Sequence, residues 1–452
     1  MNIRVQGWRP FAASALAATL LAACAQLPGG PSRAPAPASG EAHDTAQHQL
    51  QIINRLTWGA NASAAREIAE TGTARFIEAQ LRPATAVRMP AEVEAQIAAM
   101  SISQRPMTEL VMELEQRRRD ADAIADPDQK KAAQQSYQQE VNRLANETAT
   151  RFVLRALYSP EQLREQMTWF WMNHFNLFQY KIDIRRLLAD YEERAIRAHA
   201  LGRFRNLVSA TAHHPAMLRY LDNEQNAAGR INENYARELM ELHTLGVNGG
   251  YTQMDVQEIA RILTGLGVNV TQNRPNVRAQ LQSQYVRDGL FEFNPARHDY
   301  GDKTLLGSVV RGRGLAEVDE AIDRLVRHPS TARFVSRKLA VYFVSDEPPA
   351  ALVDSMAQVF QSTDGDITAV LRTLFASREF AQSLGRKFKD PLHYVLSAVR
   401  LAYDDKVILN AGPIVNWLNR MGEPLYGRQT PDGYPLVQSA LASPCQMTTR
   451  FE

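Results

Sequence analysis

The sequence predicts an all-α fold, one large multi-helix body with a small β-hairpin insertion around residues 290–310. Beyond residue 50, apolar side chains recur at the three-to-four-residue spacing of helices over most of the chain. The alternation typical of a strand is convincing only around Phe291 and Phe293, where it is short and rich in turn residues. No fixed-period repeat is present, which argues against a regular solenoid.

The first residues are patterned as a signal peptide. Two arginines precede an apolar run from Phe11 to Ala23, which is too short to cross a bilayer and ends in Leu-Ala-Ala before Cys24. This arrangement is similar to the bacterial lipobox, in which the cysteine thiol receives the lipid. Ordinary secretion is the alternative, because the residues around Cys24 also fit an A-x-A cleavage site. We expect residues 1–23 to be removed, Cys24 to be lipidated, and the chain to be exported on either interpretation.

A disordered tether is predicted for residues 24–50. This stretch is rich in Pro, Ala, Gly and Ser, so it cannot bury enough apolar surface to offset its ordering entropy. Ala25 follows the cysteine in place of an aspartate that would favour inner-membrane retention. We therefore expect residues 51–452 to be held by an N-terminal lipid at the periplasmic face of the outer membrane.

Charge and cysteine content exclude several classes of protein. The chain has 51 basic and 49 acidic residues, and loss of the two arginines of the signal peptide leaves 49 of each. A nucleic-acid partner is excluded, because a basic footprint is absent. Cys445 is the only cysteine besides Cys24, and no C-x-x-C-H haem-attachment motif occurs. The mature body must be stabilised by packing, without an internal disulfide.

The helices of the body are predicted in order along the chain. Residues 52–81 give two or three short helices broken at glycines, and residues 106–157 give two long helices with a polar turn between them. A helix capped by Ser159 follows, and its many aromatic residues predict burial nearly all round. The helical pattern returns at Val318 and continues towards the C-terminus.

The segment of residues 232–256, "NENYARELMELHTLGVNGGYTQMDV", places acids, asparagines and a histidine in a stretch otherwise patterned like a core helix. Asn232 is expected to cap a helix that runs to about Leu245 and is closed by Gly246 at positive φ. The next helix has Thr252 as its cap and Asp255 as the reciprocal acid of a capping box.

A regular helical wheel separates the side chains of this helix into two groups. Tyr235, Leu239, Leu242 and His243 fall on the inward arc, where they would pack against the aromatic helix. Glu238 and Glu241 share the opposite flank and are expected to face the "HDYGDK" loop, where they would need a cation or an arginine such as Arg237.

Other candidate site residues lie outside this segment. Asp222 ends a short helix, where an acid is disfavoured by the helix dipole and needs a positive partner. His298 and Asp299 lie in an irregular loop where side chains are free to converge. His174, within an apolar stripe, is interpreted as a core residue, whereas His243 is a candidate for either core packing or binding.

Seven long motifs in the same order resemble those of a large bacterial family catalogued as domain of unknown function eighteen hundred. They are "NRLTWGA" at 54–60, "WFWMNHF" at 169–175, "HPAMLRYLDN" at 214–223, "NENYARELMELHTLGV" at 232–247, "GGYTQMDVQEIARILTG" at 249–265, "HDYGDKTLLG" at 298–307 and "TPDGYP" at 430–435. The resemblance implies an exported helical protein, often encoded beside a protein similar to sulfatases and alkaline phosphatases. It transfers no catalytic residues, because the family has none assigned. Its members usually continue beyond a segment like "SPCQMTTRFE", so a closing helical segment is expected to be missing here.

Two functional hypotheses follow, and whether the protein is an enzyme stays open. In the first, Glu238 and Glu241, with Asp222 or with His298 and Asp299, hold a divalent metal cation that activates water for hydrolysis in the envelope. In the second, the protein is a lipid-anchored helical scaffold that binds an envelope glycan or a neighbouring protein. The sequence favours the scaffold, because no familiar catalytic motif is complete.

The lipid anchor can be tested by metabolic labelling with a fatty-acid analogue. We expect the wild-type protein to be labelled, and Cys24→Ala to be unlabelled and released in soluble form into the periplasm, because the thiol that accepts the lipid is absent. A wild-type protein that carries no label would support ordinary secretion instead.

Overall fold

The computed structural model of the protein describes residues 45–83, 88–271, 273–404, 406–442 and 444–450. Helices joined by short loops make up most of these residues, and each of their five strands is three residues long. The predicted all-α fold class is therefore confirmed. The predicted signal peptide and Cys24 lie outside the described residues.

The N-terminal part of the body consists of three short helices, two helices around residue 100 and a long helical hairpin. The helices are α1 (Ala46–Leu56), α2 (Ala62–Thr71), α3 (Thr73–Leu81), α4 (Ala91–Ala99), α5 (Ser101–Gln104), α6 (Met107–Ala123) and α7 (Pro127–Tyr158). The breaks between the first three helices and the polar turn between the two long helices lie where the sequence predicts them.

The predicted tether extends too far towards the C-terminus. Helix α1 begins at Ala46, so residues 46–50 belong to the body. The Thr45 side chain accepts a hydrogen bond from the His48 N–H at 3.2 Å, which caps the helix start. The helix that buries Ile52 therefore starts about two turns earlier, at this cap.

The central helix of the fold is α8 (Gln162–His174), and every residue in it except Arg164 is buried. The burial that its aromatic residues predict is confirmed, but the helix begins three residues after Ser159, its predicted cap. The Ser159 hydroxyl instead accepts a hydrogen bond from the N–H of Glu161 at 3.2 Å. This local turn shifts the start of the helix to Gln162.

Short helices and two π-helical turns occupy the middle of the chain. The α-helices are α9 (Leu188–Asp190), α10 (Phe204–Ala212), α11 (Pro215–Tyr220), α12 (Asn234–Glu238) and α13 (Gln253–Ile262), and the π turns are Tyr191–Ile196 and Leu239–Thr244. At the start of α13, Thr252 and Asp255 form the predicted capping box. Single 3-10 turns complete this region at Ile184–Arg186, Arg197–His199, Asn223–Gln225, Ala279–Gln284 and Pro295–Arg297.

The β insertion is larger than the single predicted hairpin. Strands β1 (Leu266–Val268), β2 (Val286–Asp288) and β3 (Phe291–Phe293) form an antiparallel sheet in the order β1-β3-β2. Strands β4 (Lys303–Leu305) and β5 (Ser308–Val310) form a separate hairpin. Leu266 lies opposite Phe293, so β1 pairs with a strand that begins 25 residues later in the chain. A pairing between such separated segments could not be predicted from the local sequence pattern.

Nine helices follow in the described residues after the β insertion. They are α14 (Ala316–Arg327), α15 (Pro329–Phe343), α16 (Ala350–Ser362), α17 (Ile367–Phe375), α18 (Arg378–Ser383), α19 (Pro391–Ala402), α20 (Gly412–Arg420), α21 (Gln438–Leu441) and α22 (Pro444–Thr449). Within the described ranges, no helix combines the length and the apolar character needed to span a bilayer.

Aromatic rings surround α8 on several sides. The ring of Trp171 lies 5.6 Å from that of Phe204 on α10, and Phe170 lies 5.2 Å from Tyr342 on α15. Phe175, which follows α8, lies 5.0 Å from the ring of His243 in the second π turn. The predicted packing of the 234–244 helical segment against the aromatic helix is therefore confirmed.

Gly246 ends this helical segment at φ +83°, as predicted, and offers a test of helix termination. An added Cβ would also lie 2.8 Å from Phe334 Cδ2. We expect Gly246→Ala to lower the free energy of unfolding by more than the roughly 1–2 kcal/mol of the left-handed backbone alone. Gly250→Ala is the matched control, because Gly250 has φ +84° and no atom within 4 Å of the added Cβ. Equal losses in chemical denaturation would show that Phe334 yields without cost.

Candidate functional site

The helix that carries the acidic pair is not a regular α-helix. It starts as α12 and continues through the π turn, where the Leu245 N–H donates to the Met240 carbonyl at 2.8 Å across five residues. The longer turn rotates the later side chains relative to a regular wheel. Met240 is consequently buried, whereas Leu242, predicted to point inward, is only half-buried.

Asn232 lies one residue before the cap position of this helix, which Glu233 occupies without a side-chain cap. The Asn232 Oδ1 accepts the Asn234 N–H at 3.0 Å, and its own N–H donates to Asn226 Oδ1 at 2.9 Å. The prediction that Asn232 is the cap is therefore wrong, and the side chain instead forms the turn that precedes the helix.

Glu238 and Glu241 are half-buried, and neither forms a hydrogen bond or an ion pair with another residue of the described ranges. Burial raises the pKa of Glu238, and the negative charge of Glu241 raises it further. The same two charges contribute to a raised pKa of Tyr251, after the larger effect of that side chain's burial. The pair is therefore a negatively charged surface that the described chain does not neutralise.

Arg237, the expected internal partner of the pair, is directed elsewhere. Its Nη2 donates to Glu233 Oε2 at 3.1 Å and to Gln253 Oε1 at 2.8 Å. The positive charge of Arg237 lowers the pKa of Glu238, but by less than burial and the charge of Glu241 raise it. The interpretation of the pair as part of an arginine network is therefore wrong.

Asp222 has the positive partner that its position requires, and that partner is Lys181. The Lys181 ammonium lies 3.0 Å from each oxygen of Asp222. Asn234 Nδ2 adds a hydrogen bond to Asp222 Oδ2 at 3.2 Å. Asp222 adopts a left-handed backbone, φ +60°, so its carboxylate helps to fix the turn before α12.

His298 and Asp299 belong to a different contact, between the β insertion and its neighbouring helices. His298 Nε2 donates to Glu317 Oε1 at 3.0 Å in a fully buried pair. Asp299 accepts from Arg261 Nε at 2.8 Å, and this hydrogen bond lowers its pKa. Neither residue has Glu238 or Glu241 among its contacts.

The predicted site residues thus separate into individual pairs. Asp222 is paired with Lys181, Asp299 with Arg261 and His298 with Glu317, while the acidic pair has no internal partner. Across the part of the chain that the structure describes, no three His, Cys, Asp or Glu side chains lie close enough together to hold a metal ion.

His174 has the core role that was predicted for it. Its Nε2 donates to the His243 carbonyl at 3.0 Å, and its Nδ1 accepts from Lys338 Nζ at 3.0 Å. Burial, reinforced by the charge of Lys338, lowers the pKa of His174 well below its usual range. The ring is therefore neutral and joins α8 to α15 and to the second π turn.

His243 is fully buried, and neither of its ring nitrogens has a hydrogen-bond partner among the described residues. Burial lowers its pKa to about 3, so the imidazole is neutral. It contacts the rings of Phe175 and Tyr235, at 5.0 Å and 6.4 Å between centroids. These contacts place His243 in the core.

The loop containing "TPDGYP" lies close to the acidic pair and was absent from the predicted site. Asn173 of α8 accepts the Tyr434 N–H at 2.6 Å and donates to the Tyr434 carbonyl at 2.8 Å. The Tyr220 hydroxyl donates to the Gln429 carbonyl at 2.8 Å. The charge of Asp432 in this loop contributes to the raised pKa of Glu238, so both acid-bearing segments meet here.

Sequence reasoning also missed a polar cavity that Asp390 and His393 line. The only sequence signal was an acid before a proline, with a histidine three residues after the acid. That pattern is the ordinary one for a capped helix start, and Asp390 indeed caps α19 by accepting the His393 N–H at 2.7 Å. Arg55 and Tyr342, which also line the cavity, come from distant segments, whereas Lys389 directly precedes Asp390.

The fold and the site together define a predominantly helical protein with an unneutralised acidic surface and no complete catalytic motif. Residues 51–452 match the family model described as "Protein of unknown function (DUF1800)", and the chain belongs to this family. No curated protein matches the chain, and no solved structure matches it. The resemblance inferred from the seven motifs is therefore confirmed.

The repulsion within the acidic pair predicts a pH-dependent effect of Glu241→Gln. The pKa of Glu238 is raised in the folded state, so ionisation of this carboxyl group destabilises the fold as pH rises through that pKa. We expect the variant to be more stable than wild type at neutral pH by about 0.2–0.5 kcal/mol, the scale of a like-charge helix pair. Calorimetry should show the difference shrinking as pH falls and Glu238 is protonated. Destabilisation at neutral pH would instead indicate a favourable partner for Glu241.

Proposed function

We propose that the protein is a lipid-anchored binding module of the bacterial envelope, and that the surface around Glu238 and Glu241 receives cationic groups of a protein partner. The observation that carries this proposal is that the described residues supply no hydrogen bond or ion pair to either carboxylate. Two half-buried like charges repel each other, so positive charge from outside the chain would stabilise both.

The use of the other charged residues supports this proposal. Lys181 and Arg261 neutralise Asp222 and Asp299 within the chain, at 3.0 Å and 2.8 Å. Arg237, the cation next to the pair in sequence, is bonded to Glu233. Asp222 and Asp299 are therefore neutralised by cations of the chain, whereas no cation of the described residues pairs with Glu238 or Glu241. A cation of another molecule would fill that role.

The anchor and the partner complete the proposal. The lipobox at Cys24 and the following Ala25 favour attachment to the outer membrane, with the body in the periplasm. Residues 25–44, which are rich in Pro, Ala, Gly and Ser, would link that anchor to the body. The family resemblance favours a neighbour-encoded protein similar to sulfatases as that partner.

Metal-assisted hydrolysis is the alternative function, and the same pair is the observation that favours it. A Mg²⁺ ion can be held by one or two carboxylates together with water and substrate oxygens. In that case Glu238 and Glu241 would hold the cation, and bound water would act as the nucleophile. The two functions require different ligands for one surface, so one set of variants separates them.

Carbodiimide cross-linking in intact cells tests the binding module, because this reagent joins a carboxylate to an amine in direct contact with it. We expect a cross-link from Glu238 or Glu241 to a lysine of one envelope protein, identified by mass spectrometry. It should disappear in the Glu238→Gln/Glu241→Gln variant. The matched control is Glu67→Gln/Glu70→Gln, which removes an exposed acidic pair with the same three-residue spacing on α2.

Elemental analysis of the purified protein tests the metal-assisted hydrolase. A stoichiometric divalent metal, lost in the Glu238→Gln/Glu241→Gln variant, would support the hydrolase and contradict the binding module. A protein without metal that also forms no cross-link dependent on these acids would contradict both functions.

A further inference from the structure

A separate cavity of about 240 Å³ lies among α1, α8, α15 and the start of α19. Two of its lining residues, Gly385 and Gln438, are exposed, so the cavity opens to solvent. Its volume is below the roughly 300–1,000 Å³ of pockets for drug-sized molecules, which restricts it to a small ligand.

Two cations in the cavity wall have no acidic partner among the described residues. Arg55 donates to the Ser383 carbonyl at 3.0 Å and to the Phe343 carbonyl. Lys389 donates to Asn54 Oδ1 at 3.3 Å. Burial lowers the pKa of Arg55 to about 10 and also lowers the pKa of Lys389. Each charge is thus desolvated without an ion pair, and a bound anion would offset that cost.

The acids near the cavity already have partners within the chain. Among the described residues of the wall, Asp390 is the only carboxylate, and both of its oxygens lie 2.8 Å from His393 Nδ1. The third cation, Lys387, is paired with Asp346 at 2.5 Å. The two charges of Arg55 and Lys389 therefore exceed the single negative charge of Asp390 in the described wall.

Neutral polar groups complete the wall. The Tyr342 hydroxyl lies 3.2 Å from His393 Nε2, and the indole of Trp58 packs on the same imidazole at 4.6 Å between centroids. Gln166 is fully buried, and its Oε1 has no hydrogen-bond partner among the described residues. Because no surface of Gln166 is accessible, this side chain supports the wall and offers no atom to a ligand.

We propose that this cavity binds a small oxyanion, either a phosphate or a carboxylate, between Arg55, Lys389 and the Tyr342–His393 pair. The cations attract the anionic group, and the Tyr342 hydroxyl, which lies 3.2 Å from His393 Nε2, can turn its proton to a ligand oxygen instead. The site is independent of the acidic pair, whose charge is opposite.

Isothermal titration calorimetry of the mature protein tests this site with sn-glycerol 3-phosphate for the phosphate class and lactate for the carboxylate class. Glycerol is the uncharged control. We expect saturable binding of at least one anion and none of glycerol. Lys389→Gln should weaken that binding by about tenfold or more, equivalent to about 1.4 kcal/mol. Lys131→Gln, which removes an exposed lysine on α7, should leave it unchanged.

The pattern of binding identifies the class of anion or overturns the proposal. Binding of only one anion assigns phosphate or carboxylate, and binding of both shows that charge and size suffice. No saturable binding, or equal affinities in wild type and folded Lys389→Gln, would overturn the proposal. Should Lys389→Gln lose its helical circular dichroism, Tyr342→Phe decides, because it keeps the ring and removes only the hydroxyl. Unchanged affinity in that variant would then count against the site.

Discussion

The burial of α8 on every side is the constraint on which the rest of the structure depends. A buried helix brings its polar side chains into an apolar interior, where an unsatisfied group costs about 1–3 kcal/mol. Gln162 accepts a hydrogen bond from the backbone N–H of Trp58 at 3.1 Å. Asn173 forms hydrogen bonds with the backbone N–H and carbonyl of Tyr434, and His174 accepts one from Lys338. Segments from both ends of the body are therefore fixed to one helix.

The features that the sequence predicts well are those encoded within a few consecutive residues. The capping box of Thr252 and Asp255 and the positive φ of Gly246 follow from local backbone geometry, and both are present. The π turn defeats the same approach, because one extra residue in a turn changes which side chains face inward. Met240 consequently takes the buried position that a regular wheel assigns to Leu242.

The candidate sites show a second limit, which concerns distance along the chain. The position of Asp222 indicates that it needs a cation, but nothing near it in sequence indicates Lys181, 41 residues away. The cavity around His393 is harder still to predict, because its cations and amides come from α1, α8 and the segment before α19. Helical periodicity determines which face of each segment is buried, whereas the convergence of those faces depends on the whole fold.

The attachment of Asn173 to Tyr434 also affects the order in which the protein can acquire its structure. These two residues are 261 positions apart, so the C-terminal end of α8 lacks these partners until Tyr434 has been synthesised and brought back to it. Contacts of such long separation slow folding and prolong the lifetime of partly folded intermediates. Until Tyr434 is in place, the aromatic surface of α8 would be open to contacts with other partly folded chains.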